Sequence, residues 1–440
     1  MSKRVYIETF GCQMNAVDSA RMLSLLEAVD YRATGSIADA DLVLLNTCVI
    51  REKADQKFRS ALGHLRRWKK ARGGRLVAVG GCLAQQKGTS LSDKAPHVDI
   101  VFGTHNIARL PELVRRAEER RPSVEVDFTG DTSHWDVLPY LAEGAASAMV
   151  TIMQGCDNYC AYCIVPYVRG REISRPSAEI LDEIRSLADR GVREVILLGQ
   201  NVNSYGKKEG EISFSALLRR IARVPGIARI RFLTVHARDL DSETIGLFEE
   251  VATLCPHIHL PIQAGSDRIL SAMGRGYTRE EYLKKVHALR RARPGIAFSS
   301  DFIVGFPGEE EADFRNTLSV MEEVRYDSCF SFRFSPRPGT RAAAMASIVP
   351  AETASERLYR LQSLQDRHTR MRLAACVGEE MEVLVEGASA RDSARLSGRT
   401  RCYKVVNFSP DAARQEPFRL VRIRSAGAHS LSGAEGGLHD

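Results

Sequence analysis

The chain has 440 residues, of which 44% are hydrophobic and 27% are charged, and its formal net charge is +7. These values exclude a small domain that depends on disulfides, and they predict roughly two to four globular domains. The sequence shows no apolar run of membrane-spanning length and no signal-peptide pattern, which predicts a cytosolic protein without membrane association. Since that compartment keeps thiols reduced, clustered members of the ten cysteines are expected to serve metal or redox chemistry.

Residues 1–121 alternate apolar runs of strand length with segments of helical periodicity. Three of the runs end in a cysteine, at Cys12 (RVYIETFGC), Cys48 (DLVLLNTC) and Cys82 (RLVAVGGC). Strands that alternate with helices predict a doubly wound parallel sheet, in which the carboxyl ends of the strands carry the ligand site. The three cysteines are therefore expected to converge, although three unrelated buried cysteines are an equal alternative on this pattern alone.

The rest of the chain divides into three further segments, within an overall α/β class. Residues 122–148 lose the regular pattern, which predicts a linker. Residues 149–375 contain about six strand–helix units, which predict a partial (β/α)6 barrel with its chemistry at the carboxyl ends of the strands. Residues 376–440 have short strands and no long helix, which predicts a small antiparallel β-barrel with a loose tail at SLSGAEGGLHD (430–440).

A dense cysteine cluster follows the first strand of the predicted barrel, in the stretch MQGCDNYCAYC. Cys156, Cys160 and Cys163 have the spacing Cys-x3-Cys-x2-Cys. Three thiolates can bind three irons of a 4Fe–4S cube and leave the fourth iron open, whereas an electron carrier or a structural zinc site uses four protein ligands. The alternatives are a zinc loop that borrows a ligand from elsewhere and thiols that only fill the core. The remaining cysteines are assigned to packing: Cys255, Cys329, Cys376 and Cys402.

With Tyr162 as its aromatic residue, the cluster matches Cys-x3-Cys-x-aromatic-Cys and resembles the signature of the radical S-adenosylmethionine superfamily. The resemblance implies that the open iron binds S-adenosylmethionine and that one electron cleaves this cofactor to a 5′-deoxyadenosyl radical. It also implies further cofactor contacts on or after later strands. These are Gly199, Gln200, Ser266, Arg268, Asp301, Val304 and Gly305.

The whole chain, nearly end to end, resembles the methylthiotransferase family in the order of its three predicted domains. The resemblance implies that Cys12, Cys48 and Cys82 hold a second 4Fe–4S cluster, with an open iron that carries the sulfur. It implies that one S-adenosylmethionine methylates the sulfur and another makes the radical, with no catalytic residue beyond the clusters. An electron donor and a protein that supplies sulfur or clusters are expected partners, and nothing in the sequence requires more than a monomer.

Within the family, three stretches resemble the branch that acts on tRNA: GCQMN (11–15), LNTCVIREKADQK (45–57) and LGQNVNSYG (198–206). This resemblance implies conversion of N6-isopentenyladenosine at position 37 of tRNA to its 2-methylthio derivative. One alternative is a sister enzyme that acts on threonylcarbamoyl-adenosine or on a ribosomal-protein aspartate. Another, from a different class, is an RNA-binding protein that uses its clusters only to sense iron or redox state.

The predicted terminal barrel carries the basic stretch RDSARLSGRTRCYK (391–404). Arg399, Arg401 and Lys404, with Phe408 nearby, would neutralise the phosphates of an anticodon stem-loop, which gives salt-dependent affinity. A single-stranded loop also lets the target base leave its stack at low cost and reach a buried radical site. The sequence therefore predicts a tRNA-binding surface on this barrel, and a solvated basic loop is the alternative.

Overall fold

The computed structural model describes residues 2–49, 52–208, 210–411 and 416–435, and for residues 52–55 the description covers the backbone alone. The side chains of the REKA stretch (51–54) therefore lie outside the described residues. The chain forms two compact units. The first consists of Met1–Glu143, Gln154–Asp157 and Ile164–Ile173, and the second of Gly144–Met153, Asn158–Cys163 and Ser174–Asp440. In the described part of the chain, every helix is too short or too polar to span a bilayer.

The first unit contains a six-stranded parallel sheet in the order β2-β1-β3-β4-β5-β6. The strands are β1 (Lys3–Thr9), β2 (Tyr31–Ala33), β3 (Leu42–Thr47), β4 (Leu76–Gly81), β5 (Ile100–Phe102) and β6 (Ser123–Glu125). The helices are α1 (Gln13–Glu27), α2 (Glu52–Lys70), α3 (Cys82–Lys87), α4 (Thr89–Lys94), α5 (Leu110–Glu118) and α6 (Val165–Arg169). Alternate residues of β3 face opposite ways, so Leu42 and Leu44 lie in a core with α1 and α5, whereas Val43 and Leu45 lie in a core with α2, α3 and α4. Helices thus cover both faces, as predicted for a doubly wound sheet.

The sheet extends into the segment that the sequence predicts to be a linker, residues 122–148. Ser123–Glu125 forms β6 and pairs in parallel with β5. The turn at Ser133–Asp136 then buries His134 and Trp135. A three-residue strand carries too little periodicity to be recognised in a sequence, and only its pairing with β5 identifies it. The chain therefore remains part of the first unit as far as Glu143.

The second unit begins with a partial barrel of six parallel strands, as predicted, arranged as two three-stranded sheets ordered β11-β10-β7 and β12-β13-β14. The strands are β7 (Ser147–Thr151), β10 (Glu194–Leu198), β11 (Arg229–Phe232), β12 (His257–His259), β13 (Ala297–Val304) and β14 (Ser328–Arg333), and outside them lie the short β8 (Met153–Gln154) and β9 (Ile173–Ser174). The helices are α7 (Ser177–Asp189), α8 (Phe214–Ile221), α9 (Ser242–Glu250), α10 (Asp267–Ala272), α11 (Arg279–Ala292), α12 (Glu311–Val324) and α13 (Ala351–Ala374). Every residue of β10 and β11 is buried, which places these two strands in the centre of the barrel wall.

A closed barrel of five strands follows α13, in the order β15-β16-β17-β19-β18. The strands are β15 (Glu380–Ser389), β16 (Asp392–Thr400), β17 (Val405–Ser409), β18 (Phe418–Ala426) and β19 (Leu431–Glu435). Two features differ from the prediction. β17 and β19 pair in parallel, so the barrel is not wholly antiparallel. β19 lies where the sequence predicts a loose tail, because this segment closes the barrel between β17 and β18.

Candidate functional site

Three cysteines of the first unit lie directly after parallel strands. Cys12 follows β1, Cys48 follows β3, and Cys82 begins α3 immediately after β4. The strand order reverses between β1 and β3, and the crevice at such a point is the usual ligand site of a doubly wound sheet. Burial, together with the nearby thiols of Cys12 and Cys48, raises the pKa of the Cys82 thiol to about 11. The structure therefore brings these three cysteines together.

Glycines allow the turns that carry these cysteines to approach each other. Gly11 has a φ of 109°, and a Cβ atom at this position would lie 2.7 Å from Cys48 Sγ. Gly81 has a φ of 90°, and a Cβ atom there would lie 2.6 Å from the carbonyl oxygen of Thr47. Both distances are too short for a side chain, so both turns require glycine.

Side-chain amides hold the same turns in place. Asn15 Nδ2 donates to the carbonyl oxygens of Phe10 (2.8 Å) and Thr47 (2.9 Å). Asn46 Nδ2 donates to the carbonyl oxygen of Asn15 (2.8 Å). These bonds connect the turn after β1 to the turn after β3, so they fix the positions of the two cysteines that follow these strands.

A buried arginine lies beside these cysteines. Arg169, at the end of α6, donates from Nη2 to Asp18 Oδ2 (2.7 Å) and to Asn15 Oδ1 (2.9 Å), and the side chains of Arg169 and Asp18 are each 3% exposed. Its charge opposes the effect of burial on the pKa of the Cys82 thiol. Its Nη1 is buried and has no hydrogen-bond partner among the described residues. Three thiols with a buried cation and an unused donor fit an anionic iron–sulfur cluster.

No motif in the sequence marks Arg169 as a site residue. The available signal is weak, since it consists of an arginine that ends the apolar stretch IVPYV. A lone arginine after an apolar stretch is more often a surface residue, and only the fold shows that this one is buried beside cysteines far away in the sequence.

The second group of three cysteines occupies one loop, between β8 and α6. Gly155 has a φ of 80°, and a Cβ atom there would clash with the carbonyl oxygen of Arg171, so the start of the loop requires glycine. Cys163 N–H donates to the carbonyl oxygen of Cys160 (2.9 Å), which makes a tight turn between them. Cys156 and Cys160 are buried, and Cys163 is half-buried.

Within the described ranges, no three His, Cys, Asp or Glu side chains surround one point closely enough to hold a single metal ion. An iron–sulfur cube differs from a single ion because each thiolate binds a separate iron, so its ligands lie further apart. Each group of three cysteines offers three thiols, the number that a cube with one open iron would need.

Cys160 lies against a second buried arginine and a histidine. Arg275 donates from Nη1 to Cys160 Sγ (3.5 Å) and to the Tyr162 hydroxyl (3.3 Å), and from Nη2 to the carbonyl oxygen of Pro261 (2.7 Å). His236 Nε2 lies 3.9 Å from Cys160 Sγ. Burial, and next the charge of Arg275, lowers the pKa of His236 to about 2, so the ring is neutral. Sequence analysis predicted neither residue, because each lies far from the cysteine loop and carries no motif of its own.

The LGQNVNSYG stretch holds the loop that carries His236. The backbone N–H of His236 donates to Asn201 Oδ1 (3.2 Å) and Asn203 Oδ1 (3.1 Å), and Asn203 Nδ2 donates to the carbonyl oxygen of His236 (3.0 Å). A Cβ atom at Gly199 would clash with a buried methionine, so this position also requires glycine. The stretch therefore places Gly199 and Gln200 beside the His236 loop, at the carboxyl ends of β10 and β11.

Two other predicted cofactor residues share an aspartate as their partner. Ser266 Oγ donates to Asp313 Oδ1 (2.6 Å). The Arg268 guanidinium bonds to Asp313 Oδ2 and donates to the carbonyl oxygen of Gly308 (2.7 Å). Both side chains are thus already engaged, and their contacts with a cofactor stay a prediction.

The last predicted cofactor residues lie on β13 and in the turn after it. The Asp301 carboxylate lies 3.5 Å from His259 Nε2, and Val304 is buried. Gly305 has a φ of 70°, and a Cβ atom there would lie 2.7 Å from Ala354 Cβ. The backbone conformation and the packing therefore explain this glycine without a cofactor. A cofactor role for these residues also stays a prediction.

The predicted RNA-binding residues lie at the contact between the small barrel and the partial barrel. Lys404 Nζ is 2.6 Å from Asp327 Oδ1, and the lysine side chain is 11% exposed. Arg399 packs over an aromatic ring of its own loop at 4.5 Å, and Arg401 donates to a backbone carbonyl oxygen of the partial barrel. Phe408 is fully buried in the barrel core. The expected RNA contacts of Lys404 and Phe408 are therefore not supported, because both side chains are used inside the protein.

Two fully buried arginines on β11 fix this contact. Arg229 Nη1 donates to the carbonyl oxygen of Arg399 (2.8 Å). Arg231 donates to the carbonyl oxygens of the two residues that follow Arg399, at the end of β16 and the start of the next turn (both 2.7 Å). Arg231 Nε also pairs with Glu194 (2.9 Å). Glu194 and Arg229 are the first residues of β10 and β11, so the small barrel contacts the amino ends of these strands. The loop that carries Cys160 lies at their opposite, carboxyl ends.

Comparison with known families covers most of the chain. Residues 4–103 match the family described as "Uncharacterized protein family UPF0004", and residues 150–321 match the Radical SAM superfamily. The chain is also similar to curated proteins named "tRNA-2-methylthio-N(6)-dimethylallyladenosine synthase". The identity is 51% with that of Geobacter sulfurreducens (98% of this chain, 97% of the relative), 52% with that of Geobacter metallireducens (98% and 98%) and 49% with that of Syntrophus aciditrophicus (98% and 94%).

Solved structures share the fold at low sequence identity. The radical S-adenosylmethionine methyltransferase TsrM from Kitasatospora setae, with cobalamin and a [4Fe-4S] cluster bound, has a TM-score of 0.59 at 18% identity, over 78% of this chain and 77% of TsrM. The cobalamin-dependent S-adenosylmethionine radical enzyme OxsB has a TM-score of 0.52 at 12% identity, over 83% of this chain and 56% of OxsB. These likenesses support the α/β architecture described above.

Proposed function

Because the chain belongs to the family of the tRNA-2-methylthio-N6-dimethylallyladenosine synthases, we propose that it adds a methylthio group to C2 of N6-isopentenyladenosine at position 37 of tRNA. The observation that carries this proposal is the presence of two groups of three cysteines at strand ends, in a chain that is 51% identical to such a synthase over 98% of its length. The sister reactions on threonylcarbamoyl-adenosine and on a ribosomal-protein aspartate are not favoured, since these relatives carry the name of the isopentenyladenosine enzyme.

The two groups of cysteines would hold two 4Fe–4S clusters, an auxiliary cluster at Cys12, Cys48 and Cys82 and a radical cluster in the loop of Cys160. When bound, these clusters and S-adenosylmethionine supply the radical, the sulfur and the methyl group. The chain's own contribution is to place a buried positive charge beside each group of thiols. Arg169 opposes the effect of burial on the Cys82 thiol, and the second buried arginine donates a hydrogen bond to Cys160 Sγ.

We place the S-adenosylmethionine site at the carboxyl ends of the partial-barrel strands. Eight residues on or after these strands are the proposed contacts: Tyr162, Gly199, Gln200, Ser266, Arg268, Asp301, Val304 and Gly305. The Tyr162 hydroxyl accepts a hydrogen bond from Arg275, which supports a fixed ring orientation next to Cys160. A water-poor site of this kind limits side reactions of a radical.

The proposed tRNA-binding surface lies on the outer face of β18 in the small barrel. The side chains of this strand alternate, so Leu420, Arg422 and Arg424 are exposed while the residues between them are buried. Arg391, in the turn between β15 and β16, is also exposed. Exposed arginines suit the phosphates of an anticodon stem-loop. They take the place of Lys404, whose ammonium pairs inside the protein.

Neutralising this face should weaken RNA binding. If Arg422→Gln and Arg424→Gln each remove one phosphate contact, the slope of log affinity against log salt should become shallower by roughly 1.4 to 1.8. Fluorescence anisotropy of a labelled anticodon stem-loop at several salt concentrations measures both the affinity and the slope. The matched control neutralises two exposed arginines of the partial barrel, Arg185→Gln on α7 and Arg190→Gln directly after it.

A further variant separates the two faces of the small barrel. Lys404→Met leaves Asp327 without its partner, so we expect it to lower the free energy of unfolding by about 3 kcal/mol. It should leave the affinity of the folded protein for the stem-loop unchanged. Equal losses of affinity in Lys404→Met and in the β18 variant would contradict the proposed surface.

Mass spectrometry of tRNA nucleosides from a host that lacks this gene tests the function as a whole. We expect the 2-methylthio group to disappear and N6-isopentenyladenosine to accumulate, and the gene supplied in trans should reverse both changes. If isopentenyladenosine stayed fully methylthiolated, the substrate would have to be sought among ribosomal proteins and threonylcarbamoyl-adenosine tRNAs.

A further inference from the structure

Arg169 has one of several buried side-chain atoms of the first unit that lack an oxygen or nitrogen partner, and it is the one that lies beside the three cysteines. Nη2 of this guanidinium bonds to Asp18 and Asn15, whereas Nη1 is buried without such a partner among the described residues, and the guanidinium contacts the Cys82 thiol. A buried donor without a strong acceptor is destabilising and calls for an explanation, and a bound group that supplies the acceptor is one. The donor therefore points to a ligand that carries acceptor atoms at this position.

Electrostatic contacts indicate which ligand this is. The guanidinium bonds to Asp18 and lies close enough to the thiols of Cys82 and Cys12 to interact with them electrostatically. The cation thus belongs to the same site as these cysteines. Thiolates and the sulfides of an iron–sulfur cluster are anionic acceptors of the kind that this donor lacks.

The position of the guanidinium is fixed from both ends of the side chain. At the backbone, Thr104 Oγ1 donates to the carbonyl oxygen of Val168 (2.8 Å), and His105 Nε2 donates to the carbonyl oxygen of Arg169 (3.0 Å). At the other end, Nη2 donates to the carboxylate of Asp18 and to the side-chain amide oxygen of Asn15. An arginine held in this way loses little conformational freedom when it binds a further acceptor.

We propose that Arg169 is a positioning residue for the auxiliary cluster, with Nη1 donating a hydrogen bond to a sulfur atom of the cluster or of its ligand Cys82. This inference rests on the proposed function, because it requires a cluster at Cys12, Cys48 and Cys82. A positive charge and a donated hydrogen bond favour the reduced, more negative form of a cluster. Arg169 therefore raises the reduction potential of the auxiliary cluster and slows its loss of iron.

The experiment uses the full-length chain carrying Cys156→Ala, Cys160→Ala and Cys163→Ala, which leaves the auxiliary site as the one group of three motif cysteines. The cluster is reconstituted anaerobically in this protein and in versions that also carry Arg169→Met, Arg169→Lys or Asp18→Asn. Arg115→Met, an exposed arginine on α5, is the matched control. The readouts are the midpoint potential from a titration followed by electron paramagnetic resonance, and the rate at which a chelator removes iron.

We expect Arg169→Met to shift the midpoint potential to more negative values and to speed the loss of iron roughly tenfold, the size typical of a lost outer contact at a metal site. Arg169→Lys should restore part of both effects. Asp18→Asn should shift the potential the opposite way, because it removes the negative charge that offsets Arg169. Arg115→Met should change neither readout.

Three outcomes are decisive, and they separate failure of this inference from failure of the proposed function. If the parent protein binds a cluster and neither Arg169→Met nor Asp18→Asn changes the potential or the rate of iron loss, the inference is overturned. If Arg169→Met fails to fold, Asp18→Asn alone decides, and an unchanged potential in that variant overturns the inference. If the parent protein binds no cluster at all, the assignment of the auxiliary site is wrong, and the inference falls with it.

Discussion

Cys160→Ala should reduce the release of 5′-deoxyadenosine from S-adenosylmethionine to the level seen without protein. Cys160 is one of three thiols on a single loop, and its sulfur accepts a hydrogen bond from the buried Arg275 at 3.5 Å. Alanine removes one of the three proposed ligands, and the backbone contacts of the neighbouring His236 hold its ring 3.9 Å from the position of the lost sulfur. A cluster with two protein ligands would not keep the open iron in place.

The measurement is chromatographic quantification of 5′-deoxyadenosine after anaerobic reduction of the reconstituted protein. Cys255→Ala is the matched control, because Cys255 is also a buried thiol of the second unit but belongs to neither cysteine group. We expect the control to cleave the cofactor like the unmodified protein. Cleavage by Cys160→Ala at the rate of the control would show that this loop does not hold the radical cluster, and it would revive the sensor or zinc-loop interpretations.

Cys48→Ala should abolish transfer of the methylthio group while leaving measurable cleavage of S-adenosylmethionine. Cys48 is 2% exposed and lies at the end of β3, beside the point where the strand order of the first unit reverses. Its loss removes one of the three ligands of the proposed auxiliary cluster but leaves the loop of Cys160 intact. The chemistry that makes the radical and the chemistry that supplies the sulfur should therefore separate in this variant.

The assay uses an anticodon stem-loop that contains N6-isopentenyladenosine, with mass spectrometry of the nucleosides and quantification of 5′-deoxyadenosine in the same reaction. Cys376→Ala, a change at another buried thiol, is the control and should give both products. Complete methylthiolation by Cys48→Ala would refute the auxiliary-cluster assignment. Loss of both products would mean that the two sites depend on each other, and iron content would then show which cluster is missing.

The sequence predicted those parts of the fold that depend on local periodicity. Apolar runs of strand length identified β1, β3 and β4, and their parallel arrangement explains why Cys12, Cys48 and Cys82 meet at one edge. Strands that escaped recognition, such as β6 and β19, are identified by their partners rather than by their own pattern. A sequence reveals which secondary structure a segment prefers, whereas the pairing of a strand in a sheet depends on residues far away in the chain.

The same distinction applies to the candidate site. Motif spacing predicted the cysteines of the Cys160 loop, and strand-end positions with the family resemblance predicted the other three. Arg169, Arg275 and His236 have no motif, and only the fold places them beside the thiols. The basic loop that ends at Lys404 was predicted to face RNA, because charge in a turn usually means exposure. In the structure it faces another part of the protein, where Asp327 supplies the opposite charge. Composition cannot reveal which surface of a barrel a neighbour covers.

The attachment of the small barrel has a practical consequence for domain deletion and exchange. A chain cut after α13 would keep Arg229 and Arg231 but lose the carbonyl oxygens that accept their hydrogen bonds, leaving two guanidiniums beside the single carboxylate of Glu194. Such a fragment would be less stable, so weaker RNA binding by it would not show that the barrel recognises RNA. Conversely, these acceptors are backbone atoms, so a barrel from a relative should still attach if its loop keeps this shape and keeps Lys404 as the partner of Asp327.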